Sequence, residues 1–128
     1  MKITKNIQPI FTDARGDIVS LFDEGDKKIA SVLLITCKKG AARANHYHKE
    51  DSHYSYMLSG KMEYAEGPVP GEEGERETAI VEVGDMVYTP PMRTHKMTFL
   101  EDSAFLALAT KSRKEGAYED DTVRIEIV

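Results

Sequence analysis

An all-β domain is the architecture this sequence predicts, and three observations predict it. Apolar residues recur with period two, and almost no segment shows helical spacing over more than two turns. Nine Gly and five Pro cut the chain into short pieces. Two apolar runs, Ile29 to Cys37 and Ala104 to Ala109, are dominated by Ile, Val, Leu, Thr and Phe, the residues that suit a pleated, buried surface. With 128 residues the chain has room for one domain, 1–128, with a self-sufficient core, and none for a second catalytic unit.

In chain order, Met1 to Ile10 alternates apolar with polar residues and lacks the apolar core of a signal peptide. Ile18 to Phe22 is the first predicted strand. Ile29 to Cys37 follows, bounded by the turn residues Gly25-Asp26 and Lys39-Gly40; because it is apolar on both parities, it is expected to be covered on two faces. Asn45 to His48, His53 to Ser59 and Met62 to Ala65 are the next strands. Glu66 to Glu77, with Gly67-Pro68, Pro70-Gly71 and several Glu, is expected to be a solvated hairpin tip with no chemistry of its own. Thr78 to Val83, Met86 to Thr89, His95 to Leu100 and Ala104 to Ala109 complete the central strands, and Lys111 to Asp121 is a charged connector. At the end Val123, Ile125 and Ile127 face one way while Thr122, Arg124 and Glu126 face the other. This last strand is free to pair within the subunit or to extend a partner's sheet. About ten short strands separated by turns indicate a sandwich or barrel.

Composition narrows the function. Asp plus Glu outnumber Lys plus Arg by 22 to 17, for a formal net charge of -5, and there is no basic block, so nucleic acid is not an expected partner. No run approaches the roughly 20 apolar residues of a membrane span, which leaves a cytoplasmic protein as the expectation. The lone Cys37 sits in an apolar run and reads as a small buried hydrophobe. A serine-nucleophile elbow, a phosphate-cradling Gly-rich loop, a Cys-x-x-Cys pair and a DNA-binding helical element are all absent.

The four histidines are the informative feature. His46 and His48 are two apart, so on a strand both imidazoles project from one face; His53 follows after a polar turn, and His95 opens a later strand. Neutral imidazole is the commonest transition-metal ligand, and three from one hairpin with a fourth from a distant strand have the spacing of a metal site. Parity places Met97 and Phe99 on the face of His95, and Ser55 and Met57 on that of His53, as pocket or core.

Glycines and prolines frame these residues. The first segment runs Gly40, five residues, His46-x-His48, four residues, His53, six residues, Gly60; the second runs Gly84, five residues, Pro90, four residues, His95. Both resemble the signature motifs of the cupin superfamily over residues 40–60 and 84–99. Three positions depart from it: His53 stands where the family usually has Glu, Met92 where it has Gly, and Phe99 where it has Asn. The resemblance implies a double-stranded β-helix, a jelly-roll barrel. It further implies one divalent transition metal held by His46, His48, His53 and His95, with Fe or Mn ahead of Zn, Ni or Cu. It also implies a homodimer that pairs or exchanges terminal strands.

Three functions follow as expectations. A four-imidazole centre with two open positions predicts a metal-dependent enzyme on a small oxygenated molecule, and its resemblance to the all-imidazole sites of several cupin oxygenases implies dioxygenase-like chemistry. The alternative rests on Phe11 to Gly16 and Asn45 to Lys49, which resemble the small cupins that isomerise or epimerise nucleotide-linked keto sugars; His48 or His46 would then be the general base and Tyr56 or Tyr88 the acid. The third is a metal- or ligand-binding module without turnover.

Overall fold

The computed structural model describes residues 1–125, the side chain of Glu115 apart. Its strands, in chain order, are β1 (Lys2–Thr4), β2 (Phe11–Asp13), β3 (Gly16–Ile18), β4 (Ser31–Cys37), β5 (Ala42–His48), β6 (His53–Ser59), β7 (Lys61–Pro68), β8 (Glu77–Glu82), β9 (Met86–Thr89), β10 (Arg93–Phe99), β11 (Ser103–Ala109) and β12 (Thr122–Arg124). A 3-10 turn, Lys114–Gly116, and a one-turn helix, α1 (Ala117–Asp121), precede β12. The predicted strands from Asn45 to Ala109 are all present, shifted by a few residues at their ends. Ile18 to Phe22 is not a strand: pairing stops at Ile18, where the chain closes the hairpin β2–β3. Ile127, assigned to the last predicted strand, lies outside the described residues.

One five-stranded antiparallel sheet has the order β1-β9-β6-β11-β4, and a second has the order β12-β5-β10-β7-β8. Neither closes on itself. β1 and β4 remain edges of the first and β12 and β8 of the second, which corrects the expected jelly-roll barrel to two open sheets. Burial explains why no closure is needed. Met57, Val87, Phe105 and Ala107 from the first sheet meet Met62, Tyr64, Val81, Met97 and Phe99 from the second in one core. Phe99 and Phe105 stack across it with centroids 5.9 Å apart. Each fully buried Phe or Met contributes about 1.5–3 kcal/mol, so interdigitating side chains complete the burial without ladder bonds across the edges.

Strand β4 departs from its expected double cover. Leu33, Ile35 and Cys37 turn inward, but Val32 and Leu34 are 61% and 65% exposed. The outer face of the first sheet is therefore partly bare. At the β6–β7 turn Gly60 has φ +82°, and a Cβ there would lie 2.1 Å from Ser103 Oγ and 2.5 Å from the Asp102 carbonyl. Only glycine fits this approach, which accounts physically for a glycine with six residues between it and His53. Among the described residues no helix is long and apolar enough to cross a membrane.

Candidate active site

The histidines converge between the sheets because three strands aim them there. On β6, His53, Ser55 and Met57 share the inner face, and His95 lies opposite His46 across the β10–β5 ladder. The ladder slips between His95 and Lys96, where Ala44 (φ +72°) and Asn45 (φ +61°) form a left-handed bulge. The extra residue turns the β5 backbone just before His46. All four imidazoles are buried, with ring centroids of 4.6 Å for His46–His48, 4.6 Å for His46–His95 and 4.8 Å for His48–His53.

Hydrogen bonds fix the ring tautomers. Thr122 Oγ1 has one proton and gives it to the Tyr118 carbonyl, so it accepts from His48 Nδ1–H at 3.2 Å. The lone pair of His48 is then on Nε2, a buried atom with no hydrogen-bond partner. His95 Nδ1–H donates to the Arg93 carbonyl at 3.3 Å, which likewise places its lone pair on Nε2. His53 Nε2–H donates to Asp51 Oδ2 at 2.8 Å. That carboxylate also accepts from the Thr110 hydroxyl and the Lys111 N–H, each at 3.0 Å on Oδ1.

These environments separate the four rings electrostatically. Burial first, then the neighbouring imidazoles, push His46 down to about 2 and His48 down to about 4, although the nearby Asp51 and Asp121 partly oppose the latter shift. Burial pushes His95 down to about 3. Burial acts to raise Asp51, but the hydrogen bonds from His53 and Thr110 and the adjacent imidazoles outweigh it and hold the carboxyl below its usual range. The site therefore contains three imidazoles kept neutral and one paired with an ionised carboxylate.

The four-histidine metal centre is corrected by this donor set. Ligand atoms of His46, His48 and His95 lie within 4.8 Å of one another, whereas those of His53 group with His48 and Asp51. The ligand atoms thus fall into two overlapping groups, and the four imidazoles do not form the single coordination set expected for a four-histidine divalent metal.

His46, His53 and His95 line a cavity of about 420 Å³ with Ser55, Met97, Arg43, Arg113, Tyr118 and Arg124. Of the four residues that parity placed as pocket or core, Ser55 and Met97 are on this wall, while Met57 and Phe99 are in the core. Tyr56 and Tyr88 are on the outer face of the first sheet, where Tyr88 packs 4.8 Å from Tyr54, so neither phenol reaches the histidines.

Sequence reasoning missed the phenol that does. Tyr118 stands 5.3 Å from His48 and 6.2 Å from His46, with Arg113 3.8 Å above its ring. It lies on the charged connector, where no local pattern marks it. Glu66 was assigned to a solvated tip but is buried on β7, accepting from Tyr64 Oη–H and Arg93 Nε–H, each at 3.0 Å. Asp51 carried the one readable signal, a carboxylate two residues before a histidine.

The profile described as a cupin domain matches residues 33–110. No curated protein matches the chain. Among solved structures, the fold is similar to a 3,4-ketoisomerase from Helicobacter canadensis, with TM-score 0.75 and 20% identity over 96% of this chain and 89% of that one. It is also similar to a histidine-to-asparagine mutant of the 3,4-ketoisomerase QdtA from Thermoanaerobacterium thermosaccharolyticum in complex with TDP-4-keto-6-deoxyglucose, with TM-score 0.74 and 20% identity over 96% and 86%. A third match is the WlaRB TDP-quinovose 3,4-ketoisomerase from Campylobacter jejuni, with TM-score 0.74 and 21% identity over 93% and 94%.

Proposed function

Because the chain belongs to the cupin domain family, we propose that it is an acid–base enzyme, a 3,4-ketoisomerase acting on a nucleotide-linked 4-keto sugar. The observation that carries the reading is the hydrogen bond from His53 to Asp51, with His53 lining a cavity whose other imidazoles stay neutral. A base must hold the proton it takes, and only His53 has a buried carboxylate bonded to its far nitrogen to stabilise the imidazolium. This replaces the assignment of His48 or His46 as base. The expected dioxygenase chemistry and its divalent metal are corrected by structures of this fold named for ketoisomerisation rather than oxygenation, and by four histidines that do not form one ligand set.

In this reading His53 Nδ1 takes the proton from C3, which is acidified by the C4 ketone. The resulting enediolate shares its charge between O3 and O4. His53 returns the proton at C4, while Tyr118 passes the O3 proton to O4, giving a 3-ketone and a 4-hydroxyl with no net gain or loss of atoms. Arg43, Arg113 and Arg124 on the cavity wall suit a diphosphate, a concentration of cations in a chain of net charge -5.

Incubation with TDP-4-keto-6-deoxyglucose in D2O, followed by NMR, tests this. We expect the 3-keto isomer with deuterium at C4, and losses of about 10²- to 10⁴-fold in kcat for His53→Asn and Asp51→Asn. Binding of the nucleotide sugar without exchange or isomerisation would instead favour a ligand-binding module.

A further inference from the structure

Three successive backbone N–H groups of the turn after β5 end on a single residue of α1. Lys49 N–H donates to the Asp121 carbonyl at 3.0 Å, Glu50 N–H to Asp121 Oδ1 at 2.9 Å and Asp51 N–H to Asp121 Oδ2 at 2.9 Å. The side chain of Asp121 is only 12% exposed, so two of these are charge-assisted bonds largely shielded from water. Each side of the junction carries part of the site. On the turn, Asp51 holds His53 Nε2–H. On the helix side, Tyr118 covers His48, and Thr122 accepts its Nδ1–H. Asp121 Oδ2 itself lies 3.8 Å from His48 Nδ1.

We infer that Asp121 is a positioning residue that sets the orientation of both histidines at once, by locking the 49–51 turn to the helix that carries Tyr118 and leads into Thr122. Without its carboxylate, Glu50 and Asp51 lose their N–H acceptors, and only the Lys49 N–H bond to the Asp121 carbonyl and the β12–β5 ladder still tie the turn to this segment, so its fit against the helix loosens. Thr122 then ceases to select the Nδ1–H form of His48, whose lone pair leaves the histidine cluster. Asp51 also loses the backbone anchor that aims it at His53. The catalytic consequence rests on the ketoisomerase reading; the effect on tautomers does not.

Imidazole ¹⁵N spectra of the full chain at neutral pH supply the readout. We expect His48 as the Nδ1–H tautomer in the wild type, a mixture with the Nε2–H form in Asp121→Ala, and an intermediate state in Asp121→Asn, which keeps one acceptor oxygen. Asp120→Ala, on the same helix and exposed, leaves the tautomer unchanged. With the keto sugar, Asp121→Ala lowers kcat by about 10- to 100-fold while KM stays within about twofold, and Asp121→Asn recovers part of the loss. A folded Asp121→Ala protein with His48 still in the Nδ1–H form overturns the inference. If the alanine variant does not fold, the same reading on Asp121→Asn decides. Absence of turnover by the wild type would remove the isomerase reading, and the tautomer spectra would still decide the role of Asp121.

Discussion

His46, His48 and His95 are neutral because they are buried against one another, and this makes stability depend on pH in a definite direction. Their folded values of about 2, 4 and 3 lie below the ordinary histidine value. Between about pH 6.5 and pH 4 the unfolded chain binds protons at these positions and the folded chain does not, so acid favours unfolding by up to about 1.4 kcal/mol per pH unit for each histidine. Asp51 acts in a lower window. Its depressed value contributes stability that is present above the ordinary carboxylate range and is lost only below about pH 4. We expect the urea midpoint to fall steadily from pH 7 to pH 4.5, and less steeply in His46→Gln. A flat profile across that range would show that these rings protonate without cost in the folded state.

At the scale of the element, the β9–β10 turn shows what a departure from the family motif does. Met92, where the motif has Gly, has φ +58°, a left-handed conformation that a side chain adopts only against strain. The backbone holds it there, since Met92 N–H donates to the His48 carbonyl at 2.7 Å. The residue is 42% exposed, so its side chain contributes little packing in return. We expect Met92→Gly to stabilise the protein by about 0.5–1 kcal/mol, the relief of left-handed strain less the added entropy of glycine in the unfolded chain. Chemical unfolding measures this, and a loss of stability would mean that the methionine packs more tightly than its exposure indicates. The motif was thus legible at its glycines and histidines, and the strain at Met92 was readable as a mismatch. The bulge at Ala44 and Asn45 was not: Ala rarely takes positive φ, and a single Asn, although enriched there, stands in most sequences without a bulge.

For the whole molecule, the outer face of the first sheet and the hairpin β2–β3 bear on association. Val32 and Leu34 pair in register with Leu108 and Leu106, which continue to Tyr54 and Tyr56 on β6. Apolar side chains therefore run across three strands, and the β4 end of these rows is uncovered. The hairpin leaves Phe11 and Ile18 more than half exposed. The resemblance implies a homodimer through terminal strands; we propose that a second copy of the chain also covers these surfaces. We expect light scattering to give twice the chain mass, and a Val32→Glu, Leu34→Glu variant to give a folded monomer. A monomeric wild type at micromolar concentration would remove this expectation.

By itself, the sequence determined the all-β class, the positions of the central strands along the chain and the four histidines that those strands bring together. Those properties are local: period-two patterning and turn residues act over a few positions, and a His-x-His pair shares a face by strand geometry alone. Only the tertiary structure decided which histidine has a carboxylate, which phenol faces the rings and whether the sheets close. His53 could be paired with Asp51 because the turn between β5 and β6 is held by Asp121, 70 residues further along the chain. Tyr118 reaches His48 only because β12 returns to pair with β5. Tautomer and charge depend on such distant partners and on the exclusion of water around them, and no window of neighbouring residues contains that information.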